Sequence, residues 1–538
     1  MKKIGLIAVL SVMVCSAWAV PARRGEIVKT QPDGTQMVVY RHGGEHFHWM
    51  TNDKGEWLKM DVDGFYRVTE ALSAEQIEAK RMAAPSRAAQ AATPLNIAPR
   101  GLVILVNFTD VAFTTDKAEM DSMLTGKNYT RDYSYFYRGK KQSITSKGSA
   151  WQYFYDSSNG HYDPQFDVIG PVTVSKNMAY YGKNVNDFDA APWTMVKEAC
   201  QLVDDSVDFK QYDNNNDGYV DFVYVIYAGY GEADGGDKNT IWPHSYWLLE
   251  AGITCKLDGK YVDLYACGNE MDSRTNYHTG IGTFCHEFSH VLGLPDLYET
   301  TGYGTYKTIG AWSILDYGPY NNDGNTPPAY SAYEQFFMGW LMPRLIVDAE
   351  NVELEELQAS NSALLISSSD QHNLIGNDPK PTTFYLLENR QQVGWDEYLP
   401  GHGLMLTKVQ YDYNKWINNT VNNSSNRMGV DLIEADGKKP SSSSNGYTGK
   451  AGDLFPAGAT EYLGITNHSI EDVSEQDGII YFKYRGGIAT SAEQVQTQET
   501  IVAIYNILGQ KQAAVDIESL PHGTYVVVTT AGSKKIVR

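Results

Sequence analysis

The sequence predicts a multidomain α+β protein, in which a mixed helix-and-strand domain is followed by β-sandwich-like domains. Three observations point there. The chain has 538 residues, more than one hydrophobic core can organise, and it is 42% hydrophobic, so it is globular rather than disordered. The continuous apolar run Gly101-Leu102-Val103-Ile104-Leu105-Val106-Asn107-Phe108 reads as a strand buried on both faces, and helical spacing recurs downstream of it. From Val347 to Arg485 the pattern changes to alternating segments, such as Phe384-Tyr385-Leu386-Leu387-Glu388 and Ile479-Ile480-Tyr481-Phe482, which read as strands.

Met1 to Ala19 reads as a signal peptide: Lys2 and Lys3, an apolar core from Ile4 to Cys15, then Ala17-Trp18-Ala19 as the cleavage site. That core is too short to span a membrane as a mature helix, and no later apolar run reaches membrane length. The formal charge of −21 argues against a nucleic-acid partner, because phosphate binding needs a basic surface. Four cysteines follow the leader: Cys200, Cys255, Cys267 and Cys285. Export permits disulfides. Cys255 and Cys267 flank a short strand-like segment and are expected as a pair, although four cysteines allow three full pairings.

Residues 20–97 read as short strands and turns, with turn signals at Pro32-Asp33-Gly34, Asn52-Asp53-Lys54-Gly55 and Asp63-Gly64. A helix is expected from Ser73, with Gln76 completing a capping box. The small, polar stretch from Ala83 to Pro94 reads as a protease-sensitive linker, which makes residues 20–97 a propeptide. His42, His46 and His48 are expected as surface residues of a strand rather than as metal ligands of a latent form. A catalytic domain then spans 98–345, with helices expected near Gly148–Tyr155, Pro192–Val207 and Ser331–Trp340 and a strand at Phe222–Tyr227. A β-rich domain packed on it covers 346–485, with a flexible serine run at 440–446.

The chemistry concentrates in Cys285-His286-Glu287-Phe288-Ser289-His290-Val291-Leu292-Gly293-Leu294-Pro295-Asp296, which reads H-E-x-x-H-x-x-G-x-x-D. On a helix, residues four apart share a face, so His286 and His290 can meet one metal ion. Imidazole pairs at this spacing suit zinc. Glu287 can act as general base toward water. Gly293 lets the backbone leave the helix, and Pro295 stops it from resuming. Asp296 then returns as a third ligand, with Glu299 as its rival. Three protein ligands and an open position mark a catalytic zinc site. Cys285, about 100° around the helix from His286, is expected as buried packing.

A second cluster, Asp213-Asn214-Asn215-Asn216-Asp217-Gly218-Tyr219-Val220-Asp221, matches the first part of a calcium loop. It predicts a structural calcium site on Asp213, Asn215, Asp217, Tyr219 and Asp221. Position twelve is Tyr224 rather than glutamate, so it is not a complete EF-hand. Ile241-Trp242-Pro243-His244-Ser245 reads as a proline-marked edge strand bordering a substrate cleft, with His244 in its wall.

The zinc motif resembles the metzincin metalloproteases, in the variant with aspartate as third ligand. Gly310-Ala311-Trp312-Ser313-Ile314-Leu315-Asp316-Tyr317-Gly318 resembles their methionine turn, with the volume-conserving Leu315 at the methionine position. Tyr317 falls where some metzincins place a tyrosine against zinc or the oxyanion; the other reading is an aromatic packed in a turn. Taken in order with the calcium-like loop, the 241–245 segment and Ala311-Trp312-Ser313, the chain is similar to the immune-inhibitor-A-like secreted metalloproteases. That resemblance implies a calcium-supported zinc endopeptidase made as a preproprotein and acting on extracellular proteins. The alternative is a surface adhesin on a protease scaffold that no longer catalyses, supported only by Leu315.

Residues 486–538 contain Asn506-Ile507-Leu508-Gly509, Leu520-Pro521-His522-Gly523-Thr524-Tyr525 and a basic end at Lys534-Lys535-Ile536-Val537-Arg538. The pattern resembles the C-terminal sorting domain of type IX secretion. It implies that secretion machinery as a partner and a secreted or surface-attached location.

Overall fold

In the computed structural model the apolar run becomes the strand Arg100–Asn107, with Leu102 to Val106 fully buried. The described residues are 18–19, 21–23, 25–44, 47–61, 63, 65–72, 99–185, 188–300, 308–439, 448–487, 501–506, 512, 524–529 and 532–537. Most of the expected leader, the helix from Ser73, the 83–94 linker, the 440–446 run and much of the terminal pattern lie outside them. The chain forms two compact units, 1–487 and 488–538.

In the first unit, Arg100–Asn107 lies inside a six-stranded sheet. The spatial order is Trp18–Ala19, His244–Trp247, Leu264–Met271, Val223–Tyr230, Arg100–Asn107 and Gln165–Thr173. The last four are mutually parallel, and His244–Trp247 runs antiparallel beside Leu264–Met271. Parallel strands are covered on both faces, which is why their sequences read as continuous apolar runs. Side chains alternate across the sheet. Val103 and Leu105 enter one buried cluster with Phe284 and Phe288 of the helix Gly282–Val291. Leu102, Ile104 and Val106 enter the other with Met195, Val196 and Cys200 of the helix Pro192–Val203.

The expected helices are present with shifted ends. Ala150–Ser157 starts at Ser149, whose hydroxyl accepts from the Gln152 N–H. Pro192–Val203 has proline in its first turn, where the missing N–H is harmless. Ala332–Met338 carries a Ser331/Glu334 capping box and ends at Gly339, φ +70°. The strand His244–Trp247 begins immediately after Pro243, with Trp18–Ala19 paired on its outer side, and the strand expected at 222–227 is Val223–Tyr230.

Residues 27–68 form an antiparallel five-stranded meander, Ile27–Thr30, Gln36–Gly44, Phe47–Thr51, Trp57–Met60 and Tyr66–Val68. Gly34 and Gly55 take the left-handed conformations that two of its turns need. His42 stacks on Trp49 and pairs its Nε2 with the Thr51 hydroxyl at 2.8 Å. His46 and the His48 side chain lie outside the described residues.

The β-rich region is part of the same compact unit, so no boundary between compact units falls at residue 345. One sheet orders Arg344–Leu345, Leu364–Ile366, Thr383–Arg390, Gly403–Gln410 and Val430–Leu432; a second holds Glu350–Leu354, Ile479–Tyr484 and Ile470–Gln476. Leu364, Leu387 and Leu406 share a buried cluster with Val352, Ile480 and Phe482 of the second sheet. On the opposite face Leu365, Leu386 and Met405 join the cluster that contains Phe284 and Leu315. Arg390, fully buried, pairs with Asp396 at 2.7 Å and donates to the Ala329 carbonyl at 3.2 Å.

The expected Cys255–Cys267 bridge is corrected. No disulfide joins any of the four cysteines, Cys255 hydrogen-bonds Cys200, and the Cys267 sulfur faces His244 at 3.5 Å. Cys255 and Cys267 belong to different sheets, so their spacing in sequence did not bring them together. Cys285 is fully buried, and burial pushes its thiol well above the usual range. In the second unit, Ile501–Asn506, Thr524–Thr529 and Gly532–Val537 form an antiparallel sheet with Ile504 and Val527 buried. Among the described residues no helix is long and apolar enough to cross a membrane.

Candidate active site

Helix Gly282–Val291 lies beneath the sheet and presents His286, Glu287 and His290, with Phe284 and Phe288 anchoring its other side. Gly293 takes φ +93°, a conformation that L side chains rarely adopt. The chain therefore reverses at once. The Leu294 carbonyl comes under His290 and accepts from its Nδ1 at 2.8 Å, and Asp296 returns to the helix. His286 Nδ1 donates to the Ile314 carbonyl at 2.7 Å, in the turn that follows.

These two contacts give both imidazoles the same tautomer, with the proton on Nδ1 and a lone pair on Nε2. The two Nε2 atoms are 3.0 Å apart, and Asp296 Oδ1 lies 3.2 Å from each. Three electron-pair donors, all buried, thus face one point. Such a set calls for a cation at its centre. Ligands about 2.0–2.1 Å from a tetrahedral zinc lie roughly 3.3 Å apart, close to what the side chains already adopt. Burial pulls His286 below the ordinary histidine range, and the facing His290 adds to it. Burial alone would raise Asp296, but His290 and His286 hold it well below the usual carboxylate range. Glu299, the rival third ligand, is not part of the group.

Asn419 was not found from sequence. It stands in the β-rich region, 123 positions beyond Asp296, and grips it twice. Its Oδ1 accepts from the Asp296 N–H at 2.7 Å, and its Nδ2 donates to Asp296 Oδ2 at 2.6 Å. The carboxylate is thereby turned so that Oδ1 faces the histidines. An asparagine in an Asn-rich loop carries no local signal of this role.

The turn at 313–318 supports the centre from below. Leu315 is fully buried, and its carbonyl accepts from the Leu297 N–H at 2.8 Å. The Ser313 hydroxyl donates to the buried Glu334 at 2.5 Å and caps the Leu315 N–H at 3.0 Å. Tyr317 is buried, and its hydroxyl donates to the Ala22 carbonyl at 2.9 Å. The two-residue strand Trp18–Ala19 pairs antiparallel with His244–Trp247, in the register Ala19 to His244. His244 is turned inward, its ring between the Trp242 carbonyl at 2.7 Å and the Tyr265 hydroxyl at 2.8 Å. It is therefore a core residue of its strand and not a cleft wall.

The acidic loop behaves differently. Lys260 Nζ donates to Asp213 at 2.5 Å, and the same carboxylate accepts from the N–H groups of Asp217 and Gly218. Asp221 accepts from the N–H and the side-chain amide of Asn214 at 2.7 and 2.8 Å. Asn215 and Asp217 bond each other at 3.1 Å, and Tyr219 is exposed. The residues expected as calcium ligands, Asp213, Asn215, Asp217, Tyr219 and Asp221, thus stand together with their oxygens shared among the loop's own donors and Lys260, and a calcium site on them is a proposal for the test below. A lysine ammonium lies on Asp213, and the loop's own N–H groups fold it around the two carboxylates.

The three donors form a candidate site for one metal ion. Residues 97–342 match the family described as Immune inhibitor A peptidase M6, catalytic domain. The chain is 27% identical over 293 residues to the pre-pro-metalloprotease PrtV of Vibrio cholerae serotype O1 (strain M66-2), covering 48% of this chain and 31% of the relative. It is also 27% identical over 268 residues to Immune inhibitor A of Bacillus thuringiensis subsp. alesti, covering 44% of this chain and 39% of the relative. The match thus spans well under half the length of either relative.

Proposed function

We propose that the protein is a zinc metalloendopeptidase that hydrolyses peptide bonds of extracellular proteins and is made as a preproprotein. One observation carries the reading: His286 Nε2, His290 Nε2 and Asp296 Oδ1 converge within 3.2 Å, with Glu287 buried on the same helix. Two imidazoles and a carboxylate suit zinc, with His286, His290 and Asp296 as its ligands. The metal supplies Lewis acidity toward the scissile carbonyl and the attacking water. The chain's own groups do the rest. Glu287 takes a proton from the water as its oxygen bonds to the carbonyl carbon, then delivers it to the leaving nitrogen as the C–N bond breaks. The Tyr317 hydroxyl, which already donates to a peptide carbonyl, holds the carbonyl oxygen as charge grows on it.

The pre-pro form is supported by the leader pattern, by the contacts of Pro21 and Ala22 with Tyr320 and Tyr317, and by the relative named as a pre-pro-metalloprotease. Export through the leader and the 486–538 sorting pattern, to the medium or the cell surface, is part of the same reading. The test is a casein digestion assay with metal analysis on the parent and on Glu287→Ala. The variant should hold its metal and lose hydrolysis; parental activity in it would sink the mechanism.

A further inference from the structure

Pro21 to Arg23 are held beside Tyr317 and Tyr320 in a way that latency alone does not require. Their main chain is held by contacts that any residue could make. The Tyr320 hydroxyl donates to the Pro21 carbonyl at 2.7 Å, Tyr317 donates to the Ala22 carbonyl at 2.9 Å, and the Arg23 N–H donates to the Ala233 carbonyl at 2.9 Å. The Arg23 side chain adds contacts that only a guanidinium makes. One terminal nitrogen bonds Asp272, the other bonds Asp323 at 2.6 Å, and the Tyr320 ring lies 5.6 Å from the guanidinium carbon.

The pocket is built to hold its carboxylates in place. Asp272 is 4% exposed, and its Oδ1 accepts from the N–H groups of Arg274 and Thr275 at 2.8 and 3.0 Å, which aims Oδ2 at Arg23. Asp323 stands in a left-handed turn with Asn322, a conformation that Asn and Asp tolerate, and it also accepts from the Tyr135 hydroxyl and pairs with Arg274. Asp234 lies behind, raised to about 7 by burial and the Asp272 charge. With Arg23 withdrawn, the buried Asp272 carboxylate loses its guanidinium partner, while Asp323 keeps Arg274. An unpaired buried charge is costly, so the empty pocket favours a cation. Two carboxylates on two nitrogens of one planar fork select arginine over the single ammonium of lysine.

We propose that Asp272, Asp323 and the Tyr320 ring form a substrate subsite for arginine, and that Arg23 occupies it in the precursor as an internal substrate mimic. The assignment rests on the peptidase reading. Because Tyr317 holds the carbonyl just before Arg23, cleavage falls on the amino side of arginine.

The test uses the full chain and reads binding separately from turnover. In a Glu287→Ala background, Arg23→Ala is titrated with fluorescent peptides that differ only in Ala-Arg, Ala-Lys or Ala-Ala at the central pair. The Ala-Arg peptide should bind about tenfold more tightly than Ala-Ala, with Ala-Lys between them. It should also bind more tightly to this variant than to the same protein retaining Arg23. Adding Asp272→Asn and Asp323→Asn should erase the preference. Equal affinity for the three peptides on the Arg23→Ala protein would overturn the subsite, and that comparison needs no pocket variant to fold. Casein digestion by the Glu287-containing Arg23→Ala chain distinguishes the two failures. Hydrolysis without arginine preference sinks the subsite alone. Arginine binding without hydrolysis of any peptide sinks the peptidase reading and leaves only a guanidinium site.

Discussion

At 286–296 and at 213–221 the chain sets metal-type side chains at regular spacing, and in sequence the two stretches read alike. In the first, Nδ1 of each histidine is taken by a carbonyl, so both Nε2 atoms and Asp296 Oδ1 face each other. In the second, Asp213 already has an ammonium and two N–H donors, and Asp221 has an amide. Donor spacing alone therefore does not say how far the fold has already engaged those donors. What separates the two is whether the rest of the fold satisfies the oxygens and nitrogens before a cation arrives.

The comparison can be broken most easily at Glu287. Glu287→Ala should lower kcat by about 10²–10⁴-fold, the range for loss of a general acid–base group, while metal content by mass spectrometry stays at the parental level. Loss of the metal with the activity would make Glu287 a structural part of the centre instead.

A second effect separates ligand from support. Asp296→Ala should abolish stoichiometric metal and with it the melting-temperature rise that the metal gives the parent, since a ligand bound only by the native state stabilises it. Asn419→Ala should keep the site but weaken metal affinity by about 10–100-fold, as expected for a group that orients a ligand. Competition with a chromogenic chelator measures both. Unchanged affinity in Asn419→Ala would show that Asp296 is aimed by its own turn.

The acidic loop should respond to calcium hardly at all. Adding calcium or a calcium-selective chelator should leave the melting temperature unchanged, whereas Lys260→Met should lower stability by about 1.5–3 kcal/mol, the range for a hydrogen bond to a charged group. A calcium-dependent rise in the parent would restore the cation reading and require Lys260 to swing away.

The smallest effect is in pH. Burial disfavours the Asp213 charge, but Lys260 and the Gly218 and Asp217 N–H groups outweigh it and hold the carboxyl below its ordinary range. A carboxylate lowered in the folded state contributes stability above its unfolded value and loses it as pH falls through the folded one. The difference in melting temperature between parent and Lys260→Met should therefore be full at pH 6 and shrink below about pH 4. A difference that persisted at pH 3 would assign the effect of Lys260 to packing.

Local patterns determined a good part of this protein. The buried strand at 100–107, the helices begun by Ser149, Pro192 and Ser331, and the metal-type helix with its glycine exit are all written within a few residues of themselves. Periodicity, caps and positive φ act over one or two turns of chain, so a single sequence carries them. The rest depended on partners brought from far away. Asn419 on Asp296, Lys260 on Asp213, Cys200 beside Cys255, and Arg23 between Asp272 and Asp323 join residues 47 to 300 positions apart. Hydrogen-bond satisfaction and charge pairing are properties of atoms within about 3 Å of each other, whatever their separation along the chain. Only the folded arrangement could decide which oxygens are left for a metal and which already have a partner.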